Sequence, residues 1–272
     1  MSIKQVVAAS FSPTGNTSYV VNLIAQRISN KLQLSYLEDN FTLPNTRQTT
    51  REYEEDTLLV IGLPTYAGRI PNKILPFVQE HLKGNRTLSL PIVTFGNRSF
   101  DEALKELCLE LESHGFNILA GAGIVTEHVF SNKLAAGRPN ADDILEIYQF
   151  ADSCIKKILS SPIVPLDFYK KEPLGGYYKP LGIDGKPTVF LKAKPMTHKD
   201  RCIKCNLCVN HCPMGSIDPL DSTHIPGICI KCHACIKICP QNAKYFADEA
   251  FLSHKSMLET NYERRTESVY FI

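Results

Sequence analysis

Apolar residues in the first 160 positions alternate between compact runs and helix-like repeats. Five apolar runs predict strands, and the first of them reads as a strand that is buried on both faces; the runs span residues 3–9, 32–37, 57–62, 88–95 and 116–125. Between them, apolar residues recur at helical spacing, which predicts helices over about 20–28, 71–83, 103–111 and 141–159. This alternation indicates an α/β fold with a doubly wound sheet of five parallel strands.

Three later segments break this pattern, so the chain is expected to divide into domains at 1–160 and 196–247, joined by a linker at 161–195 and followed by a tail at 248–272. The linker is rich in proline and tyrosine, which favours an extended segment pinned to a domain surface over a flexible Gly/Ser tether. A docked linker would hold the two domains together, whereas a mobile one would let them swing. The apolar end of the tail, Val269 to Ile272, is expected to fold back onto a domain, with partner binding as the alternative.

Length and charge narrow the function classes. A chain of 272 residues favours two domains, and a formal charge of +2 gives no argument for binding nucleic acid or an anionic membrane surface. No apolar run approaches the roughly 18 residues of a membrane span. The first residues lead into a strand without the apolar region of a signal peptide, so a cytoplasmic location is expected.

Eight of the ten cysteines lie in two equally spaced runs. The first run is Cys202, Cys205, Cys208 and Cys212, followed by Pro213; the second is Cys229, Cys232, Cys235 and Cys239, followed by Pro240. This spacing is that of bacterial two-cluster ferredoxins, in which the fourth cysteine of each run binds the other cluster. It predicts one [4Fe–4S] cluster on Cys202, Cys205, Cys208 and Cys239, and a second on Cys229, Cys232, Cys235 and Cys212.

Zinc binding and disulfide formation are the competing explanations for these cysteines. A four-ligand zinc site usually needs two Cys-x2-Cys pairs rather than two runs of four that end in Cys-Pro. A disulfide scaffold requires an oxidising compartment, for which the sequence gives no sign. The remaining cysteines, Cys108 and Cys154, lie on predicted helices and are expected to be buried free thiols.

A loop rich in hydroxyl groups connects the first predicted strand and helix. It reads Ser-Phe-Ser-Pro-Thr-Gly-Asn-Thr over residues 10–17, and a loop between a strand and a helix N-terminus presents free N–H groups to an anion. It lacks the lysine of a Walker loop and two of the three glycines of a dinucleotide fingerprint. An ordinary capped helix would explain Asn16 or Thr17 alone, but not the whole loop.

The loops after the third and fourth strands would meet the same edge of the sheet. Tyr66 offers an aromatic face on which a planar ring could stack, or is a surface residue packed on Pro64. Arg98 either places positive charge near such a ring or forms a salt bridge in solvent. The Gly121-Ala122-Gly123 segment lies inside a strand and is expected to serve close packing only.

Four features together resemble the flavodoxin–ferredoxin fusion proteins that are often described as ferrodoxins. They are the Thr-Gly-Asn-Thr loop, the segment Pro-Thr-Tyr-Ala-Gly-Arg-Ile-Pro after strand three, the segment Phe-Gly-Asn-Arg-Ser-Phe after strand four, and the two cysteine runs. The resemblance implies a flavodoxin-like sheet that binds FMN, followed by a small α+β bacterial ferredoxin-like domain along residues 197–246. It implies that the loops binding FMN comprise Ser10, Ser12, Pro13, Thr14, Gly15, Asn16, Thr17, Pro64, Thr65, Tyr66, Ala67, Gly68, Phe95, Gly96, Asn97, Arg98 and Phe100. The segment from Glu127 to Pro139 fits the family's long loop beside the flavin.

Two functions remain open from the sequence. An electron carrier would pass electrons between the clusters and FMN and would need redox protein partners, whereas an enzyme would reduce a small molecule at the flavin. The carrier is preferred, because His128, Tyr66 and Arg138 are the only candidate proton donors and none stands in an acid–base motif. A redox sensor would need a DNA-binding module, and none is present in the sequence. A homodimer is plausible if one chain leaves its flavin far from its clusters.

Overall fold

The computed structural model describes residues 3–160 and 162–272. Its strands are β1 (Gln5–Ser10), β2 (Ser35–Asn40), β3 (Arg51–Tyr53), β4 (Thr57–Pro64), β5 (Leu82–Gly84), β6 (Thr87–Phe95), β7 (Phe116–Ile118), β8 (Gly121–Val125), β9 (Met196–Thr197), β10 (Lys244–Tyr245) and β11 (Val269–Phe271). Its helices are α1 (Asn16–Leu32), α2 (Leu75–His81), α3 (Ala103–Ser113), α4 (Ala141–Leu159), α5 (Leu207–Asn210), α6 (Ala234–Lys237) and α7 (Glu249–Asn261), with short 3-10 turns at Pro44–Arg47 and Phe168–Lys170.

Five consecutive sheet neighbours, β2, β1, β4, β6 and β8, form a parallel sheet. Counted along the chain, their spatial order is 2-1-3-4-5, which is the order of the flavodoxin-like doubly wound fold. The short strand β7 lies off this path and pairs parallel with the first residues of β6. The expected fold class is therefore confirmed: a mixed α/β fold with a mainly parallel sheet and a small ferredoxin-like region after it.

Helices cover both faces of the sheet, and β1 shows why its sequence is continuously apolar. Val6 and Ala8 point into one core with α1 and α4, while Val7 and Ala9 point into the other core with α2 and α3. Because successive strand residues point to opposite faces, a strand covered on both sides needs apolar residues at every position. In both cores the central side chains are almost completely excluded from solvent.

Four expected elements differ from the observed ones. The run 116–125, expected as one strand, forms two, β7 and β8, and only β8 continues the path of the parallel sheet. The run 32–37 is divided, because Leu32 ends α1 and Gln33 adopts a left-handed conformation before β2 begins. The helix expected over 71–83 begins only at Leu75, and its last residues form β5. That strand pairs with β3, which lies in the segment 39–56 that was expected to be a loop.

The segment between the two domains is attached to the first domain at several points. The Tyr178 N–H donates to the Ala67 carbonyl at 2.8 Å, and the Arg69 side chain donates to the Gly175 carbonyl at 2.8 Å. Tyr169 is 1% exposed and belongs to one of the two sheet cores. The described part of the linker is thus docked along the domain surface.

The last residues of the chain extend the parallel sheet. Strand β11 pairs antiparallel with β8 and forms the edge of the sheet beyond it. Helix α7 lies before it, with Phe251 in a small core with Ala193 and Phe246. The segment after the cysteine runs therefore returns to the first domain. No helix in the described ranges is long and apolar enough to cross a membrane.

The cysteine region repeats its backbone conformation as well as its spacing. Helices α5 and α6 both follow a residue in the left-handed conformation, Asn206 with φ 57° and His233 with φ 61°. Lys204 and Lys231, two residues earlier, share that conformation with φ values of 57° and 56°. Strands β9 and β10 form an antiparallel pair at one end of this region.

Candidate redox site

The loop after β1 turns tightly around its own hydroxyl groups. Gly15 has a φ of +89°, which glycine adopts without steric cost, and its N–H donates to the Ser12 carbonyl. The Ser12 hydroxyl accepts the Ser18 N–H at 2.9 Å. This geometry presents the first turn of α1, whose N–H groups have no intrahelical acceptor, to the space beyond the sheet. The arrangement suits an anion bound without a positively charged side chain.

A cavity of about 560 Å³ opens in front of this loop. Its walls come from the loops after β1, β4, β6 and β8, which meet at the carboxyl edge of the parallel sheet. A cavity of this size and position is where ligands bind in doubly wound folds. The residues expected to bind FMN that line it are Pro13, Thr14, Asn16, Thr17, Pro64, Thr65, Tyr66, Ala67, Gly68, Phe95, Gly96 and Arg98.

Five of the residues expected at this cavity lie outside its lining. Ser10 is buried at the end of β1. Ser12 and Gly15 form hydrogen bonds that stabilise the turn after β1. Phe100 packs against Phe95, with a ring distance of 5.3 Å. Ser12, Gly15 and Phe100 lie in loops that reach the cavity, but the Ser12 hydroxyl, the Gly15 N–H and the Phe100 ring make contacts within the protein.

Asn97, the fifth of these residues, attaches the end of the chain to the sheet. It is 2% exposed, and its side-chain amide donates to the carbonyls of Tyr262 at 2.5 Å and Arg264 at 2.7 Å. Its side-chain oxygen accepts the Thr266 N–H at 3.2 Å. The role of Asn97 in this structure is therefore to hold the segment before β11.

Tyr66 and Arg98 both reach the large cavity, but neither is freely exposed. Tyr66 is half-buried, and burial raises its pKa well above the ordinary value, with a further contribution from the thiolates of Cys232 and Cys229. Arg98 stacks on the ring of Tyr178 at 3.8 Å and pairs with Asp101. Tyr66 therefore lies towards the second cysteine run, and the charge of Arg98 is partly neutralised.

Arg138, a candidate proton donor from the sequence, is part of a buried ion pair instead. Its guanidinium bonds both carboxylate oxygens of Asp143 at the start of α4, and it is 7% exposed. It also donates to the Thr266 carbonyl at 2.5 Å. Arg138 does not line the large cavity.

The wall opposite the sheet comes from segments that sequence reasoning did not assign to the site. They are the linker residues Tyr177, Tyr178, Pro180, Phe190 and Leu191, the α7 residues His254 and Leu258, and the segment Ile228–Lys231 of the cysteine region. The aromatic and proline content of the linker was a visible signal, but composition does not identify the surface to which a segment binds. The cavity is thus more enclosed than an isolated first domain would make it.

Two histidines at this cavity have defined hydrogen-bond roles. His128 Nδ1 accepts the Phe130 N–H at 3.1 Å, whereas His254 Nδ1 lies 2.8 Å from the Leu181 carbonyl and so must donate to it. Burial, and then the charge of His254, lowers the pKa of His128 to about 4, and burial lowers the pKa of His254. Both rings are therefore neutral at pH 7. The tautomers leave a donor at His128 Nε2 and an acceptor at His254 Nε2.

Gly96 makes room for His128. A Cβ at Gly96 would lie 2.4 Å from His128 Cδ2, so any larger residue would displace the ring. The resemblance to flavodoxin–ferredoxin fusions placed Gly96 in a loop that binds FMN. In the structure, that small size also admits the imidazole to the cavity wall.

The eight cysteines of the two runs surround two separate cavities. The outer cysteine cavity is lined by Cys202, Cys205, Cys208 and Cys239. The inner cysteine cavity is lined by Cys212, Cys229, Cys232 and Cys235. The fourth cysteine of each run thus lies with the first three of the other run, which is the crossed grouping expected from the spacing.

The two cysteine cavities differ in exposure. Cys205 of the outer cavity is exposed, whereas no cysteine of the inner cavity is. Burial raises the pKa of the inner thiols Cys229, Cys232 and Cys235. In the described ranges, no three His, Cys, Asp or Glu side chains converge closely enough to hold a single metal ion. Cys108 and Cys154 are buried in the sheet cores.

The inner cysteine cavity adjoins the large cavity. Ile228, Cys229 and Ile230 line both of them. An ion pair of 2.5 Å between Lys237 on α6 and Glu127 in the loop after β8 joins the same two parts of the chain. One chain therefore brings the two sites together, and the reason for expecting a dimer no longer applies.

Comparison with known proteins assigns the cysteine region. Residues 195–218 and 223–245 match the 4Fe–4S binding domain family. This match follows, along the chain, a sheet with the 2-1-3-4-5 order of the flavodoxin-like fold. The chain fits a flavodoxin–ferredoxin fusion. No curated protein matches the sequence.

Solved flavodoxins resemble the first domain of the fusion only in part. A flavodoxin from the domain Archaea is 16% identical with a TM-score of 0.41, and the match covers 57% of this chain and 99% of the flavodoxin. The flavodoxin of Streptococcus pneumonia TIGR4 is 19% identical with a TM-score of 0.39, over 57% and 99% of the two chains. Oxidised flavodoxin 2 of Bacillus cereus is 16% identical with a TM-score of 0.41, again over 57% and 99%. The fold assignment depends on the strand order, not on these matches.

Asn97→Ala should destabilise the protein even when no flavin is present. The substitution leaves two carbonyls at the C-terminal segment without a donor, and each unsatisfied buried group costs about 1–3 kcal/mol. We expect the free energy of unfolding in urea to fall by about 2 kcal/mol or more. Asn117→Ala is the matched control, because the Asn117 amide donates to the Arg86 carbonyl at an exposed site. Equal stability of the two variants would contradict this role for Asn97.

Proposed function

We propose that this chain is an electron-transfer protein that carries two [4Fe–4S] clusters and one FMN and links one-electron with two-electron redox partners. The shared wall of Ile228, Cys229 and Ile230 between the inner cysteine cavity and the large cavity carries the proposal. It favours a continuous route between the iron–sulfur site and the flavin within one molecule.

The proposed cluster ligands follow the two cysteine cavities. Cys202, Cys205, Cys208 and Cys239 would hold the outer cluster, and Cys212, Cys229, Cys232 and Cys235 the inner one. Four thiolates around a cavity suit a cubane cluster, whereas zinc requires four ligands around one point. Because metal binding needs the thiolate form, it must displace the protons that burial stabilises on the inner thiols.

The proposed flavin site uses the large cavity. The first turn of α1 and the side chains of Thr14 and Asn16 offer uncharged donors to the phosphate. Tyr66 offers an aromatic surface to the ring system. The wall formed by Tyr178 and Phe190 excludes water from the opposite side. Clusters supply one-electron chemistry, and FMN supplies either one-electron or two-electron chemistry.

The exchange surface for a redox protein partner is proposed at the outer cysteine cavity. Cys205 is exposed there, and the neighbouring Ile203 is 61% exposed. The large cavity, in contrast, is covered by the linker, by α7 and by the ferredoxin domain. A protein partner therefore has direct access to the outer site through Cys205 and Ile203.

The alternative function is an FMN-dependent reductase of a small molecule, fed by its own ferredoxin domain. The enclosure of the cavity and the paired roles of His128 as donor and His254 as acceptor favour it. A neutral histidine can polarise a carbonyl by hydrogen bonding, as a general feature of enzyme sites. The carrier remains the preferred proposal, because Tyr66 and His128, the sequence-derived candidates that line the cavity, stand in no recognisable acid–base motif.

The ligand grouping can be tested with double cysteine variants. Cys202→Ser combined with Cys239→Ser removes two ligands of the same proposed cluster, so we expect about four iron and four sulfide per chain to remain, the content of one [4Fe–4S] cluster. Cys202→Ser combined with Cys212→Ser removes one ligand from each cluster and should lower the content towards zero. Iron and sulfide analysis after anaerobic purification measures both. The opposite ranking would show that each run binds its own cluster.

The phosphate site can be tested by flavin affinity. Thr14→Ala combined with Asn16→Ala should weaken FMN binding at least about tenfold, since hydrogen bonds to a charged group contribute about 1.5–3 kcal/mol and 1.4 kcal/mol corresponds to tenfold. Titration of the flavin-free protein with FMN, followed by fluorescence quenching, measures the Kd. Ser18→Ala is the control, because that hydroxyl faces Glu38 on the exposed side of α1. The same Kd in both variants would reject this phosphate site.

The carrier and the reductase differ in how they react with a small oxidant. Reduced protein is mixed in a stopped-flow instrument with increasing concentrations of a water-soluble quinone. For a carrier we expect the oxidation rate to rise linearly, because no binding site fills. A rate that saturates and that falls at least about tenfold in His254→Leu would instead establish the reductase.

A further inference from the structure

His233 places a buried polar atom without a partner beside the inner cysteine cavity. The residue lies between Cys232 and Cys235, lines that cavity, and is 8% exposed. Its Nε2 is buried and forms no hydrogen bond anywhere in residues 3–160 and 162–272. A buried polar atom without a partner is costly and calls for an explanation.

The surroundings of His233 offer its ring faces no polar partner. Phe246 stacks on the ring at 5.0 Å, and Phe130 and Phe251 lie 5.0 and 5.6 Å from it. Only the edge of the imidazole is left for a polar contact. Of the three phenylalanines, Phe246 lines the inner cavity, which otherwise presents four cysteines and mainly apolar side chains.

The equivalent residue of the first run is satisfied in another way. Asn206 follows Cys205 as His233 follows Cys232, and both residues adopt the left-handed conformation. The Asn206 amide donates to the Pro219 carbonyl at 3.4 Å on the exposed side of the molecule. The two runs therefore share the backbone conformation at this position but differ in the side chain and in its partner.

We propose that His233 Nε2–H donates a hydrogen bond to sulfur of the inner cluster and raises the reduction potential of that cluster. This inference rests on the proposed function, since it requires the inner cluster. A lone pair at Nε2 would face thiolates and sulfides of like charge, so the bound cluster selects the tautomer with the proton on Nε2. The sulfur atoms become more negative on reduction, and the donor therefore stabilises the reduced form more than the oxidised form.

The direction of this effect has a consequence for the order of potentials. Burial without a donor disfavours the additional negative charge of a reduced cluster. The inner cysteines are more buried than the outer ones, so the inner cluster would otherwise be the harder one to reduce. The His233 donor offsets that penalty at the site next to the flavin.

The test is a reductive titration of the complete, cluster-loaded protein, followed by electron paramagnetic resonance. His233→Phe keeps an aromatic ring among the phenylalanines and removes the N–H. We expect one of the two cluster midpoints to fall by about 59 mV, which is a tenfold change for one electron, while the other stays in place. Asn206→Leu, the matched substitution in the first run, should move neither midpoint.

A second variant covers the case in which phenylalanine is not tolerated in the left-handed conformation. His233→Asn suits that conformation and retains an amide donor, so its midpoint should lie between those of the wild type and His233→Phe. Unchanged midpoints in a His233→Phe protein with full iron content would overturn the proposal. Loss of the inner cluster from both variants would also overturn it, since His233 would then serve assembly. Fewer than two clusters in the wild type would instead reject the proposed function.

Discussion

The segment Ile228–Cys229–Ile230 forms part of two cavities at once, and the redox arrangement depends on keeping it there. The ion pair between Lys237 and Glu127 is about one-third exposed on each side, and such pairs contribute little in water. The stronger contribution comes from aromatic packing, in which Phe130 of the first domain meets His233 of the second. Aromatic pairs add about 0.5–1.5 kcal/mol beyond the area they bury. An apolar contact beside the shared wall therefore helps to hold the two domains next to each other, together with a hydrogen bond from Arg47 to the Pro213 carbonyl.

The linker and the tail fix this contact from outside. The linker is hydrogen-bonded to the turn at Ala67, and its Tyr178 ring lies beneath the Arg98 guanidinium. The tail is held by Asn97 before it enters the sheet as β11. The loops after β4 and β6, which carry Ala67 and Asn97, thus line the cavity and also attach the two segments that enclose it. The contacts that these two loops make with the linker and the tail therefore enclose the cavity and also attach the ferredoxin domain.

The sequence predicted what depends on local pattern and spacing. The apolar runs identified the five parallel strands, and the cysteine spacing anticipated that Cys239 lies with the first run and Cys212 with the second. The sequence did not anticipate that Asn97 holds the C-terminal segment. A side-chain amide in a loop after a strand can form hydrogen bonds with a ligand or with a backbone carbonyl equally well. His254 was missed for a different reason: it comes from α7, and nothing local indicates that this helix returns to the flavin cavity. The local sequence pattern therefore did not predict which distant segments of the chain contact each other.

The two cysteine runs also show how a repeat acquires two different sites. Their spacing and left-handed residues are the same, yet one run presents Cys205 to solvent and the other lies against the first domain. The difference arises from what each run contacts, not from the motif. Iron–sulfur potentials respond to solvent exposure and to hydrogen bonds at sulfur, so identical motifs in these positions cannot have identical properties. An exposed site suits exchange with a partner protein, and an enclosed site beside the flavin suits exchange within the molecule. The asymmetry of the fold therefore distinguishes two cysteine sites whose motifs are the same.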